Sequence, residues 1–157
     1  MRLHTFPMPN IFDSDVVADL TRRIQLLTPA TTPVWGKMTV DQMLAHCNVS
    51  YEMVYDRIHA KPSALTRLLL KMFVKGAVVG PKPYARNSPT AAAFRIVGAK
   101  EFARERERLI AYINRVQREG EDAFEGRESH SFGSLSSTEW NVLFYKHLNH
   151  HLTQFGV

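Results

Sequence analysis

TVDQMLAHCNVSYEMVYDRIHA, residues 39–60, is the stretch on which the fold turns. Thr39 followed three residues on by Gln42 is a capping box, in which each side chain serves a backbone N–H that the first helical turn leaves unpaired. Val40, Met43, Leu44, Cys47, Tyr51, Val54 and Ile58 then recur at steps of three and four. That spacing predicts a long amphipathic helix from Thr39 to about Ala60.

Four further segments read the same way. The first runs from about Asp13 to Leu27, with Asp13 or Ser14 as cap and Val16, Val17, Leu20, Ile24 and Leu27 inward. Pro29 and Pro33 break the chain after it. A shorter helix follows Pro62, capped by Ser63. Its apolar face is Leu65, Leu68, Leu69, Met72 and Phe73, and Gly76, Gly80, Pro81 and Pro83 are read as ending it. Residues 80–97 form a long crossover loop. The next helix spans about Ala99 to Arg118, with Phe102, Leu109, Ile113 and Val116 inward, and the alternating run Arg104 to Arg108 is read as a solvated face. Ser136 with Glu139 is a second capping box, opening a last helix from Ser137 to about Phe155. Five amphipathic helices without a strand pattern predict an all-α fold. The short third helix and the long loop after it reduce this to a four-helix core with one crossover. The 157 residues suit a single domain over 1–157, and 45% hydrophobic residues suffice for its core.

Localisation and charge narrow the function. The N-terminal MRLHTFPMPNIF has no apolar core of signal-peptide length. The longest apolar stretch, Leu68 to Val79, is interrupted by Lys71, Lys75 and Gly76 and is too short to span a bilayer. Cys47 is the sole cysteine and has no intrachain partner. A cytoplasmic protein with no membrane partner is expected. The net charge is +5, but nine basic and no acidic residues fall between Arg57 and Lys100, leaving −4 for the rest. Such a local excess attracts anions, and a small anionic substrate is the expected partner, with no nucleic acid. Arg67, Lys71 and Lys75 also form an i, i+4, i+8 stripe that suits a surface-binding module.

The chemistry concentrates in KHLNHHLTQFG, residues 146–156. His147 and His151 lie four apart, on one helical face about 40° from alignment, so two imidazoles can reach one ion. Trp140 and Phe144 share that face and turn it inward. His150, about 60° from His147, is the alternative partner. A third ligand must come from another helix. His46 is the best candidate, flanking the apolar stripe beside Met43 and Cys47, with Gln42 and Ser50 one turn to either side. Three imidazoles leave a fourth position open, as in catalytic zinc sites. The same spacing also fits histidines that are merely hydrogen-bonded. Cys47 points about 100° away from its neighbour His46 and reads as core. His130, in the loop before the last helix, is read as exposed rather than as a ligand or base.

WGKMTVDQMLAH (35–46), FGSLSSTEW (132–140) and KHLNHHLTQFG (146–156) together resemble the DinB/YfiT-like superfamily, in a branch known as a domain of unknown function. The resemblance covers nearly the whole chain. It implies a four-helix bundle in an up-down-down-up arrangement with a central divalent metal, zinc or nickel first among the candidates. It implies as ligands one histidine of the second helix and a His-x-x-x-His pair of the last, which are His46, His147 and His151 here. Characterised relatives include thiol-dependent transferases. The expected function is a metal-dependent enzyme, a thiol-dependent transferase or metal-assisted hydrolase acting on a small anionic substrate. The alternative is a non-catalytic metal-binding bundle that mediates homodimerisation or other interactions.

Overall fold

The computed structural model describes residues 8–157. Residues 1–7, most of the stretch read for a signal sequence, lie outside the described residues. The chain is mainly helical: α1 Ser14–Leu26, α2 Val40–Tyr55, α3 Ala64–Phe73, α4 Lys75–Val79, α5 Phe102–Glu119 and α6 Ser137–Gln154. Single 3-10 turns lie at Ala92–Phe94 and Glu121–Ala123. One feature without a sequence signal is a small antiparallel hairpin, β1 Glu128–Ser129 with β2 Gly133–Ser134.

The local signals place the starts of α2, α3 and α6 well, whereas α5 begins at Phe102, capped by Glu101, three residues after the expected Ala99. Gln42 Oε1 accepts from the Thr39 backbone N–H at 3.1 Å. At α6, Ser136 N–H donates to Glu139 Oε2 at 3.0 Å and Glu139 N–H to Ser136 Oγ at 3.2 Å, a closed capping box. Ser63 Oγ accepts from Thr66 N–H at the head of α3. Asp13 holds the cap position of α1, but its side chain makes no capping bond.

The ends are less regular. α2 stops at Tyr55, five residues short of Ala60, because Arg57 takes a left-handed backbone with φ 54°. Ile58 is therefore 67% exposed instead of continuing the stripe. Gly76 does not end the third helix; the chain bends at Val74 and resumes as α4 until Gly80.

The core sits among α1, α2, α5 and α6. α1 packs on α5, α5 on α2, α2 on α6 and α6 on α1. Leu20 and Ile24 of α1, Met43, Leu44 and Tyr51 of α2, Leu109 and Ile113 of α5, and Phe144, Leu148 and Leu152 of α6 are buried in one cluster. Tyr51 stacks on Phe144 with ring centroids 4.9 Å apart and planes within 4°. Each such side chain contributes about 1.5–3 kcal/mol by leaving water. The run Arg104 to Arg108 is not wholly solvated. Glu105 is buried, and Arg108 bridges it to Glu52 of α2.

The apolar face expected of α3 is not buried. Leu65, Leu68, Leu69, Met72 and Phe73 are between 47% and 73% exposed. Nor is the basic stripe beside it free, because Arg67 pairs with Glu128 and Lys75 with Glu139. Only Lys71 of the three stays without an ion pair among the described residues.

Candidate metal centre

α6 presents His147 and His151 one turn apart on its inner side, and α2 brings His46 opposite them. The ring centroids stand 4.8 Å apart for His147 and His151, 5.0 Å for His46 and His147, and 4.5 Å for His46 and His151. One ring nitrogen from each lies within 4.8 Å of the others, and the group can hold a metal ion. Among the described residues no fourth His, Cys, Asp or Glu joins it.

Hydrogen bonds orient the rings. His46 Nδ1–H donates to the Phe94 carbonyl at 2.8 Å. His151 Nδ1–H donates to Gln154 Oε1 at 2.8 Å, and Gln154 is itself fixed because its Nε2 donates to the Trp35 carbonyl at 2.8 Å. Both oxygens can only accept, so both Nδ1 atoms carry the proton and both Nε2 atoms are bare lone pairs. His147 Nδ1 lies 3.2 Å from the Ser50 hydroxyl, which can accept from it in the same manner. His46 Nε2 stands 3.0 Å from His147 Nε2. Nitrogens bound tetrahedrally to one zinc at about 2.0–2.1 Å are roughly 3.3 Å apart, so the observed spacing fits a shared cation with little adjustment. An imidazole whose second nitrogen is anchored on oxygen is the usual arrangement of a metal-bound histidine.

Electrostatics agree with the donor set. Burial lowers the pKa of His46, against the raising effect of the Phe94 carbonyl. Burial, then the neighbouring His46 and His150, pushes His151 down to about 3, with Gln154 opposing. Burial together with the three other imidazoles holds His147 well below the usual range. All three are therefore neutral near pH 7, as ligation requires.

The loop after α4, residues 80–97, covers this centre. Phe94 supplies the carbonyl to His46 and sets its ring edge-on to His46 and His147, at 5.2 and 5.7 Å. Tyr84 approaches His147 and His150 from the other side, at 6.5 and 5.7 Å. Lys146 anchors the loop, its Nζ donating to the carbonyls of Ala77, Gly80 and Lys82 at 2.7–3.1 Å. Gly36 supplies the close approach on the far side. Its φ is 86°, and a Cβ there would stand 2.5 Å from Gln154 Nε2. The Trp35–Gly36 pair thus holds the amide that holds His151.

His150 stays outside the group and instead meets Trp35 and Tyr84 edge-on, at 5.8 and 5.7 Å. It lines a cleft of about 240 Å³ with Trp35, Tyr84, Lys146, Asn149 and Thr153. A groove of about 360 Å³ between α1 and α5 carries none of the histidines. Arg86 lies over the Trp35 ring at 4.2 Å, placing one cation of the basic segment beside the cleft. Cys47 is buried with its thiol toward Met43, its pKa raised by burial, as expected of a core residue. His130 contacts the Ala60 carbonyl and the Ser131 hydroxyl and takes no part in the centre. Of the polar lining expected around His46, Ser50 serves His147 and Gln42 turns to the Gly98 carbonyl. Gln154 and the Phe94 carbonyl escaped the sequence reading. The i, i+3 spacing of Gln154 from His151 is a signal for the first, whereas nothing local marks the second.

A family model described as the DinB superfamily matches residues 15–155. No curated protein and no solved structure was found to match the chain. With the match spanning nearly all of its length, the chain belongs to the DinB superfamily.

Proposed function

We propose that His46, His147 and His151 bind one divalent metal ion through their Nε2 atoms, and that the chain is a metal-dependent enzyme acting on a small anionic molecule. The observation that carries the reading is the anchoring of Nδ1 on oxygen at His46 and His151, with the Nε2 atoms of His46 and His147 left 3.0 Å apart. With the Nδ1–H of His147 donating to Ser50, the two facing Nε2 atoms are lone pairs that a cation would bridge; in the other tautomer of His147 its Nε2–H donates to His46 Nε2. Burial holds the imidazoles neutral, as metal ligation requires.

Such a cation, zinc or nickel for an imidazole set, supplies Lewis-acid activation of a water or a thiol at an open position. The chain's own residues do the rest. Phe94, Ser50 and Gln154 hold the three rings in place. Tyr84 and Phe94 restrict water on the loop side. Of the three histidines, His147 is the one that is half-buried rather than buried. Arg86, beside His150 and Trp35, favours a negatively charged substrate at the cleft. Thiol-dependent transfer and metal-assisted hydrolysis both use this equipment. In this reading α1, α2, α5 and α6 form a four-helix bundle over one domain, in the family's up-down-down-up order. The protein works in the cytoplasm without nucleic acid.

Metal analysis of protein purified without chelators, followed by a screen of thiol transfer onto small electrophiles and of ester and amide hydrolysis, tests the proposal. Stoichiometric zinc or nickel with a metal-dependent activity is expected. A chain that binds neither metal in calorimetry overturns it. Full metal occupancy without any turnover would turn the reading to a non-catalytic bundle, with a second copy of the chain as partner.

A further inference from the structure

The most unusual surface of the molecule lies away from the histidines. α3 puts Leu65, Leu68, Leu69, Met72 and Phe73 on one arc of about 140° and leaves all five in water. Together they expose on the order of 600 Å², the upper end of the largest apolar patch on an ordinary monomer. Exposed Ile58 lies six residues before the helix. The hairpin ties both segments to one rim, since His130 contacts the Ala60 carbonyl and Glu128 pairs with Arg67.

Charge selects what covers this face. From Arg57 to Lys100 the chain has nine cations and no acid. Arg67 and Lys75 are neutralised by Glu128 and Glu139. Arg57, Lys61 and Lys71 are exposed and have no ion pair among the described residues, and Lys71 flanks the apolar arc, about 60° from Leu68 around the helix. A second copy docking by two-fold symmetry would bring another set of the same cations into one interface, with no acid from the Arg57–Lys100 segment to meet them. An anionic lipid surface takes up both properties at once. The apolar arc enters the headgroup boundary and the lysines meet lipid phosphates. We propose that α3 and the 57–61 loop dock this protein peripherally on an anionic membrane surface. The expectation of no membrane partner rested on the missing span, and a helix lying in the interface needs none. The proposal is independent of the metal site.

Co-sedimentation of the full chain with phosphatidylcholine vesicles, with and without phosphatidylglycerol, tests it. Binding is expected only with the anionic lipid and falls as salt rises. Leu69→Glu with Met72→Glu should lower bound protein to about a tenth or less. Lys61→Ala and Lys71→Ala should each weaken binding roughly fivefold. Circular dichroism and zinc calorimetry should match the parent in every variant. Independently of those charge changes, Phe73→Trp should give an emission blue shift on anionic vesicles that the parent protein lacks. No sedimentation with anionic vesicles, or equal sedimentation with neutral ones, overturns the proposal. So does a concentration-dependent dimer in analytical ultracentrifugation that Leu69→Glu with Met72→Glu dissolves, since the face then belongs to a second copy.

Discussion

α2 and α3 both repeat apolar residues at steps of three and four, and they meet opposite fates. In α2, Met43, Leu44, Cys47 and Tyr51 are buried, and every residue from Met43 to Glu52 is shielded. In α3, Leu65, Leu68, Leu69 and Met72 follow the same steps and none is buried. α3 has the cleaner separation of apolar and polar sides; α2 is apolar or small over most of its circumference. Sharp amphipathicity marks a helix at a boundary, whereas a helix shielded all round belongs to the interior. A periodic stripe therefore says that a helix has a face to cover. It does not say that the same chain covers it.

The comparison breaks first at the metal. Removing a ligand on the α6 side facing α2 should have the largest effect of any change considered. His147→Ala should weaken zinc binding in calorimetry by well over the roughly 100-fold that marks the upper range for an outer partner. His150→Ala, one position from the centre, should leave it largely intact. Comparable affinities in the two variants would dissolve the centre as drawn.

Stability is the next contrast. Leu44→Ala in α2 deletes a fully buried side chain and should cost about 2–5 kcal/mol in urea unfolding. Leu68→Ala in α3, 53% exposed, should stay within about 0.5 kcal/mol. A loss at Leu68 equal to that at Leu44 would mean that α3 is covered in solution.

Smaller effects sharpen the account of the buried side. Ser50→Ala and Gln154→Leu remove the partners of His147 and His151, and each should weaken metal about 10–100-fold with little change in helicity. Gly36→Ala forces the Gln154 amide aside and should fall at the lower end of that range.

The gentlest test is pH. The folded pKa values of His46, His147 and His151 are all lowered, so the unfolded chain binds more protons below about 6.5. Stability of the metal-free protein should be complete above that value. It is lost progressively as pH falls toward the folded values, about 3 at His151. Thermal melts should show this slope, and zinc should be released over its upper part. A melting temperature independent of pH between about 7 and 4 would show that the imidazoles are not shielded from water as described.

What the residues determine by themselves is local. The starts of α2, α3 and α6 are written in Thr39, Ser63 and Ser136, because a cap needs only a side chain and an N–H two or three residues away. That His147 can share a helix face with His151 is equally local, since helical pitch sets it, though pitch leaves His150 open as well. The choice of His46 over other histidines follows from its place at the edge of an apolar stripe. Tertiary structure decided what depends on distant partners. It separated His151 from His150 by the direction in which α6 meets α2, a difference of about 100° on the helix that spacing to His147 leaves open. It brought the Phe94 carbonyl to His46 across 48 positions of chain and Trp35 to Gln154 across 119. It paired Arg67 and Lys75 with Glu128 and Glu139, and it left α3 without a neighbour for its apolar face. A cap or a pitch is settled within four residues, whereas burial and ring orientation are settled only when two remote segments pack.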